Sequence, residues 1–459
     1  ISLKNKKFVF IIDEAHRTTM GDMMHLIKAY FKDNSLFYGF TGTPLFEENK
    51  ANGRINEQSE LINTTEKLFG PLLHQYTINE AISDGNVLGF NVDYINTGEF
   101  TSYQALKSQI IESYGVQHPE EHKEGIKKKF GSLNEGQIEL AAKQMDILNY
   151  NNPEHIERVV ARILDDWNHI SGNKFFNAIL TVGLKKRVID YYREFKRQIT
   201  ERELNFNLAM TFSKGDENDP TSIDKDIYAE MFKDYETYTG VYFDVNDAKM
   251  GIDAYFQDLI TRAAQGGSAQ NPHNIDLVIV ADQMLTGYDS KFLNALYVDR
   301  NLELQGLIQA YSRTNRVYGK DKEFGSIINF QYPRISEERV HEALALYSSG
   351  GENLQAIVDD YDTAVVKFSD AVARMQFAFP NPADWKLYEY EEIIKKVYRA
   401  AASQLNKVKQ YYAFEWDDET FGISLLEWQN YSGAYKNLFP TVDAGDYVIN
   451  PMQGEVKLE

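Results

Sequence analysis

Short apolar runs that stop abruptly at polar, chemistry-bearing residues restrict the fold of this chain more than any other feature. Phe8-Val9-Phe10-Ile11-Ile12 runs into Asp13-Glu14, and Leu36-Phe37-Tyr38-Gly39-Phe40 runs into Thr41-Gly42-Thr43-Pro44. Unbroken runs of this length, unlike alternating ones, mark strands buried on both faces, as in parallel sheets. A helical stretch from about Thr18 to Phe31 separates the two runs. Strand, helix, strand is an α/β reading, and in such sheets ligands sit at the carboxyl ends of the strands.

The rest of the chain extends that reading. Residues 45 to 75 are polar and irregular, with a turn signal at Asn52-Gly53. Tyr76 to Gly85 reads as a short helix and Val87 to Ile95 as a strand, which puts a first domain boundary near residue 85. The stretch 101–172 is helical and charged, the pattern of an insertion. Strand patterns resume at Ala178-Ile179-Leu180-Thr181-Val182, Phe206 to Phe212, Ile275 to Ala281, Leu296 to Asp299 and Ser326 to Phe330. Segments 213–226 and 263–274 read as loops. Residues 86–333 therefore form a second doubly wound domain carrying the insertion. From 334 the pattern is helical; the tail from 413 is aromatic and turn-rich, and the tryptophans Trp385, Trp416 and Trp428 are expected to pack its core.

Four segments carry chemistry. Asp13-Glu14-Ala15-His16 sits at a strand tip, where Asp13 can hold a magnesium ion and Glu14 can orient water. Thr41-Gly42-Thr43-Pro44 places hydroxyls and a glycine at the next strand end, where they form either a switchable hydrogen-bond network or an ordinary turn. Leu285-Thr286-Gly287-Tyr288-Asp289 could touch a nucleotide sugar or a phosphate backbone, and by itself reads rather as a strand-to-helix loop with Asp289 as a cap. In Gln309-Ala310-Tyr311-Ser312-Arg313-Thr314-Asn315-Arg316 the two arginines are three apart, on one face of an expected helix. Such a pair can meet a γ-phosphate or can be a solvated basic face.

In this order the segments resemble motifs II, III, V and VI of superfamily 2 helicases and translocases, and the strand 178–182 with its basic helix resembles motif IV. The runs Phe10 to Thr19, Phe40 to Pro44 and Val87-Leu88-Gly89-Phe90-Asn91-Val92 are similar to the motor (R) subunit of type I restriction enzymes. The resemblance implies RecA-like doubly wound parallel sheets, the first partial and the second complete, followed by a helical domain over 334–459. It implies ATP and Mg2+, with Asp13 coordinating the metal through water and Glu14 activating the attacking water. His16 would link the nucleotide site to the interface, and Thr41 and Thr43 would couple nucleotide state to DNA. Thr286, Gly287 and Asp289 would line the cleft near nucleotide and DNA, and Gln309, Arg313 and Arg316 would complete the ATP site. Implied partners are double-stranded DNA and the methyltransferase and specificity subunits of a cytoplasmic restriction complex, the helical domain docking to the methyltransferase core.

Composition narrows the alternatives. With 43% apolar and 25% charged residues the chain is neither disordered nor fibrous, and the absence of cysteine excludes disulfides, thiolate metal sites and cysteine nucleophiles. Lys plus Arg number 48 against 68 Asp plus Glu, a net charge of −20, so contact with nucleic acid requires a local basic track. Lys185, Lys186 and Arg187, with Arg193, Lys196 and Arg197 behind them, are the candidate track or a solvated helix face. The histidines show no ligand spacing, so no zinc site is expected, and no apolar run is long enough to span a bilayer. No Gly-x-x-x-x-Gly-Lys-Ser/Thr phosphate loop occurs; Gly319-Lys320-Asp321 lacks both the glycine-rich loop and the hydroxyl. The chain opens on Ile1 and enters a strand pattern almost at once, so it is expected to be part of a longer protein and inactive toward ATP by itself. A different superfamily 2 motor, such as a type III restriction subunit, and a non-catalytic scaffold are the rival readings.

Overall fold

The computed structural model describes residues 6–439 apart from 19–21, 32–33, 51–53, 56–60, 213–221, 248, 320, 349–355 and 388–390. The first two apolar runs form β1 (Phe8–Ile12) and, after α1 (Ala15–Thr18) and α2 (Asp22–Tyr30), β2 (Ser35–Gly39). They pair in parallel, with Phe8 opposite Ser35 and Ile12 opposite Gly39. Aromatic stacking closes one side: the Phe10 and Phe37 rings lie 4.6 Å apart and Phe31 edges onto both Phe8 and Phe10. The other side differs from the expectation of strands covered on both faces. Val9 is 61% exposed, Ile11 72%, Leu36 57% and Phe40 58%. Among the described residues this sheet has only two strands, and its helices pack on one face.

Residues 45–75 are largely irregular, as expected, with a minimal antiparallel ladder of β3 (Arg54–Ile55) and β4 (Leu61–Ile62) and the short α3 (Thr65–Phe69). The turn signal Asn52-Gly53 lies outside the described residues. The short helix expected over 76–85 is α4 (Ile78–Ser83), entered through a capping box in which Thr77 and Glu80 satisfy each other's backbone N–H groups.

The second sheet is six-stranded and parallel throughout. Its strands are β5 (Gly89–Tyr94), β6 (Asn177–Val182), β7 (Leu208–Thr211), β8 (Leu277–Val280), β9 (Leu293–Asp299) and β10 (Phe324–Asn329), in the order β5-β10-β9-β6-β8-β7. Every residue of β6, β7, β8 and β10 is buried, the signature of strands covered on both faces. Four helices, α5 (Tyr103–Gln117), α6 (Lys123–Gly131), α7 (Glu135–Gln144) and α8 (Pro153–Ile170), fill the connection from β5 to β6 where an insertion was expected. α9 (Lys185–Glu201) joins β6 to β7, and α10 (Ser222–Thr239) and α11 (Ile252–Ala263) join β7 to β8. The loop expected over 213–226 is thus corrected from Ser222 onward. Ile227, Tyr228, Met231, Phe232 and Tyr235 are buried at three- and four-residue spacing, enough to hold a helix on the core. The exposed edge of β5 is partly covered: Phe90 N–H donates to Ala356 O (2.7 Å), and Phe90 O accepts from Val358 N–H (2.9 Å).

After α12 (Leu304–Tyr311) and β10, the chain is helical: α13 (Pro333–Tyr347), α14 (Tyr361–Ala378), a 3-10 turn at Pro382–Leu387, α15 (Glu391–Val408), α16 (Asp418–Phe421) and α17 (Leu425–Leu438). Trp385 and Trp428 are buried in a second apolar core with Phe368, Tyr398 and Phe421, and Trp416 packs against it. The irregular tail expected from 413 is corrected by α17, which is 14 residues long; residues 440–459 lie outside the described residues. No helix among the described residues is long and apolar enough to cross a membrane.

Candidate active site

The tip of β1 turns sharply. Glu14 takes a left-handed backbone (φ 48°), and its N–H donates to Asp13 Oδ1 at 2.9 Å. The next bonds sew this turn to the end of β2: Phe40 N–H donates to Ile12 O (2.8 Å) and Ala15 N–H to Phe40 O (3.0 Å). Asp13 and Glu14 remain exposed, while His16 is buried. Among the described residues, neither carboxylate is paired with a lysine or arginine. Two adjacent exposed carboxylates without a competing cation are oxygen donors of the kind that Mg2+ accepts through water.

His16 touches three of the expected site residues, Glu14, Thr41 and Gln309, and a fourth, Thr43, joins through Thr41 and Gln309. The His16 Nδ1 lies 2.7 Å from Thr41 Oγ1 and 3.4 Å from Glu14 Oε2, and Thr43 N–H donates to Thr41 Oγ1 (3.1 Å). From the far side of the molecule, Gln309 Nε2 donates to His16 Nε2 (2.8 Å) and Thr43 Oγ1 (2.7 Å). An amide NH2 can only donate, so His16 Nε2 accepts and the imidazole proton sits on Nδ1, facing the Thr41 hydroxyl. The β1 tip, the β2 tip and α12 thus meet in one hydrogen-bonded knot.

A second cluster lies on the other side of Gln309. The loop after β8 carries positive backbone angles at Met284 (φ 66°) and Gly287 (φ 74°). Gly287 has open space where a Cβ would stand. Arg313 Nη1 donates to Tyr288 O (2.5 Å) and its Nε to Gln309 O (3.1 Å), while Arg316 Nε donates to Asp289 Oδ1 (2.5 Å). Thr286, Gly287, Tyr288 and Asp289 also line a cleft of about 390 Å3 against Phe256 and Ile260 of α11. The arginines are not on a helix, contrary to expectation. α12 ends at Tyr311, and the bonds Arg313 N–H to Ala310 O and Thr314 N–H to Tyr311 O tighten the exit into three-residue turns. Thr314 Oγ1 then bonds Tyr311 O (2.9 Å), the local competition that ends helices at hydroxyl residues.

The basic track is only partly present. Lys185 and Lys186 open α9, Lys186 exposed and Lys185 with its ammonium 5.0 Å over the Phe212 ring. Arg187 is corrected: it is buried, with Nη2 on Asp299 Oδ2 (2.5 Å) and Nη1 on Asn151 (3.2 Å). Burial opposes its charge, but Asp299 and Tyr191 outweigh that and move its pKa up. Asp299, fully buried, is in turn held below the usual carboxylate range: burial raises it, and His155 with Arg187 lowers it further. Farther along α9, Lys196 pairs with Glu230 and Asp234, and Arg197 with Glu157, Glu194 and Glu201.

Sequence reasoning missed two groups. Arg300, just past β9, ties strand ends together by donating Nη1 to Ala281 O (2.5 Å) and Asp282 Oδ1 (2.6 Å) at the start of the loop that holds the arginines. Asn49 donates Nδ2 to Gln305 Oε1 (3.1 Å) and Tyr347 OH (2.7 Å). Arg300 could have been noticed as a cation at a strand tip; Asn49 carries no local signal.

Three family profiles match in sequence order. A SWI2/SNF2 ATPase profile matches 2–124, a type I restriction enzyme subunit R domain 3 profile matches 174–332, and a type I restriction and modification enzyme subunit R C-terminal profile matches 356–451. A type I restriction enzyme endonuclease subunit from Staphylococcus aureus strain COL, SauCOLORF180P, is 31% identical over 96% of this chain and 43% of its own length. The SsaAORF53P endonuclease subunit of Staphylococcus saprophyticus is 32% identical over 99% of this chain and 44% of its own. Among solved structures, the ATP-dependent type ISP restriction-modification enzyme LlaBIII bound to DNA aligns with a TM-score of 0.37 and 15% identity, over 80% of this chain and 21% of that one. The chain spans less than half the length of the curated relatives it matches. By the three profiles and the sequence relatives, the chain belongs to the family of type I restriction enzyme R subunits, with an ATPase-like region of the SWI2/SNF2 kind.

Proposed function

We propose that this chain is the motor portion of an R subunit that couples ATP hydrolysis to movement of duplex DNA before cleavage, within a cytoplasmic complex that also holds methyltransferase and specificity subunits. The division proposed is 1–85 as part of a first motor domain, 86–333 as the second, and 334–459 as the helical unit docking to the methyltransferase core. The observation that carries the reading is Gln309, which reaches from one lobe to His16 and Thr43 of the other.

In this reading Asp13 holds Mg2+ through water and Glu14 orients the attacking water, the metal supplying charge neutralisation at the phosphates. Arg313 and Arg316 serve the γ-phosphate from the second lobe and must exchange Tyr288 O and Asp289 for it. Thr41 and Thr43 transmit the state of the site to DNA, and Thr286, Gly287 and Asp289 sit where nucleotide and DNA approach. Lys185 and Lys186, without Arg187, supply the start of a phosphate-binding track. This chain holds no glycine-rich cradle for a triphosphate.

Phosphate release by malachite green tests the proposal. The complete R subunit, assembled with its complex on DNA, is expected to hydrolyse ATP with Mg2+, and Glu14→Gln to lower kcat by about a thousandfold. The 459-residue chain alone is expected to stay at background. A complete complex indifferent to Glu14→Gln defeats it; brisk turnover by this chain alone overturns only the expectation that the chain is inactive by itself.

A further inference from the structure

The Gln309 knot is not the only place where the first lobe touches the second. Six residues past Thr43, Asn49 uses its whole amide: Oδ1 accepts from Phe46 N–H (2.7 Å), and Nδ2 donates to Gln305 Oε1 and Tyr347 OH. Tyr347 OH passes its own proton to Pro44 O (3.3 Å), the residue next to Thr43, and the Phe46 and Tyr347 rings lie 5.9 Å apart. Burial pushes the Tyr347 hydroxyl up to about 12, so it remains a donor at any physiological pH. Gln305 and Gln309 are four apart on α12 and share one face. The far end of α13, which carries Tyr347, is fixed as well: Glu139 accepts from the N–H groups of Arg334 (3.1 Å) and Ile335 (3.0 Å). Tyr347 is therefore a fixed post and not a swinging arm.

We propose that Asn49 and Tyr347 are positioning residues: they seat the 41–49 loop on α12 and α13, so that Thr43 and His16 meet Gln309 in the register that nucleotide turnover requires. Neither touches substrate. Without the latch, the hydrogen bond that remains from α12 to this loop is the one Gln309 gives to the Thr43 hydroxyl, a side chain that can rotate away. The inference rests on the two-lobed motor proposed above.

Two measurements test it. The chain has no cysteine, so Leu26→Cys and Leu204→Cys place spin labels on exposed positions of the two lobes with no background labelling. Pulsed electron paramagnetic resonance is expected to give one narrow distance in that doubly labelled chain. Adding Tyr347→Phe, which deletes only a hydroxyl, or Asn49→Ala should broaden it; unchanged distributions in both overturn the proposal. In the complete complex, Tyr347→Phe is expected to lower kcat for ATP about fivefold, the factor of one net hydrogen bond, with KM near that of the parent. Combined with Gln309→Ala it should cost nothing beyond Gln309→Ala alone. Full additivity with Gln309→Ala, or an unchanged kcat, overturns it. A complex that turns over no ATP in its unsubstituted form refutes the motor reading, and the distance measurement then decides the latch by itself.

Discussion

A glutamine amide makes a good joint because one NH2 can serve two acceptors at once. Gln309 spends both protons on His16 and Thr43 while its main-chain carbonyl takes Arg313. His16, Thr41, Thr43 and Gln309 stood out in the sequence as motif residues, but only the family resemblance, and no local pattern, implied that Gln309 would meet the others. The fate of individual cations was not legible. Arg187 looks like its neighbours Lys185 and Lys186 in a string, yet the helix period turns it inward onto Asp299, where a buried pair outlasts any use as a phosphate ligand. Lys322 is buried under the opposite terms. Its Nζ donates to Leu293 O (2.7 Å) and Lys291 O (3.3 Å), and among the described residues no carboxylate pairs with it. Burial, with Arg316 nearby, pulls the amine down to about 7 from an unperturbed 10.5. Between those values the unfolded chain binds a proton that the native state does not, so stability rises with pH across the window. The protein is expected to gain roughly 2 kcal/mol from this group between pH 7 and pH 9. Urea unfolding at the two pH values checks this: the difference in stability between Lys322→Met and the parent should shift toward the parent by that amount at pH 9. A difference independent of pH would exclude it.

At the scale of elements, the strands were the most legible part, because continuous burial on both faces writes a continuous apolar run, and β6, β8 and β10 fall within two or three residues of where the runs place them. Two helices were less legible for opposite reasons. α12 stops before its arginines where the Thr314 hydroxyl takes the carbonyl of Tyr311, a stop signal that the three-residue spacing of Arg313 and Arg316 obscured. α17 was hidden by composition. Its buried residues are the aromatics Trp428, Tyr431 and Tyr435, which a turn-rich reading absorbs although their spacing is helical. Its entry signal is Ser424 with Glu427: Ser424 Oγ accepts Glu427 N–H (3.2 Å) and Glu427 Oε2 accepts Ser424 N–H (2.9 Å). The Ser424 side chain and backbone bonds hold the Glu427 carboxyl below its ordinary value, so the cap works above the unfolded carboxylate range and fails as pH falls through the depressed one. Ser424→Ala is expected to destabilise the helical unit by about 1 kcal/mol at pH 7. Thermal unfolding followed at 222 nm would register it; no change in midpoint would mean that tertiary packing alone holds the helix end.

The whole molecule joins two sheets of very different standing. The six-stranded sheet is buried on both faces and continuous with one large apolar core. The two-stranded sheet has a small cluster of Met24, Ile62 and Leu68 beneath it and an uncovered face above. Two parallel strands alone do not make a stable sheet. The acidic tip of β1 therefore depends on the cross-lobe bond from Gln309 to His16 as well as on its backbone bonds to the end of β2, and the loop after β2 depends on the bonds of Asn49 to Gln305 and Tyr347. That dependence was not legible, since contacts 250 to 300 positions apart leave no local trace, and the apolar runs at β1 and β2 read as fully buried strands. It has a measurable consequence. Opening free energy follows buried apolar contact, so the first sheet should open far more readily than the second. Hydrogen exchange at pH 7 is expected to show the amides of Phe8–Ile12 and Ser35–Gly39 exchanging at least about a hundredfold faster than those of Asn177–Val182, a gap of roughly 3 kcal/mol in local stability. A partner that binds the exposed face of Val9, Ile11, Leu36 and Phe40 would close that gap, whereas a ligand that acts only at the second sheet would leave it. Equal protection of the two sheets in this chain would mean that the lobes open as one cooperative body, and the hydrogen-bonded knot around Gln309 would then have to be stronger than its few side-chain contacts allow.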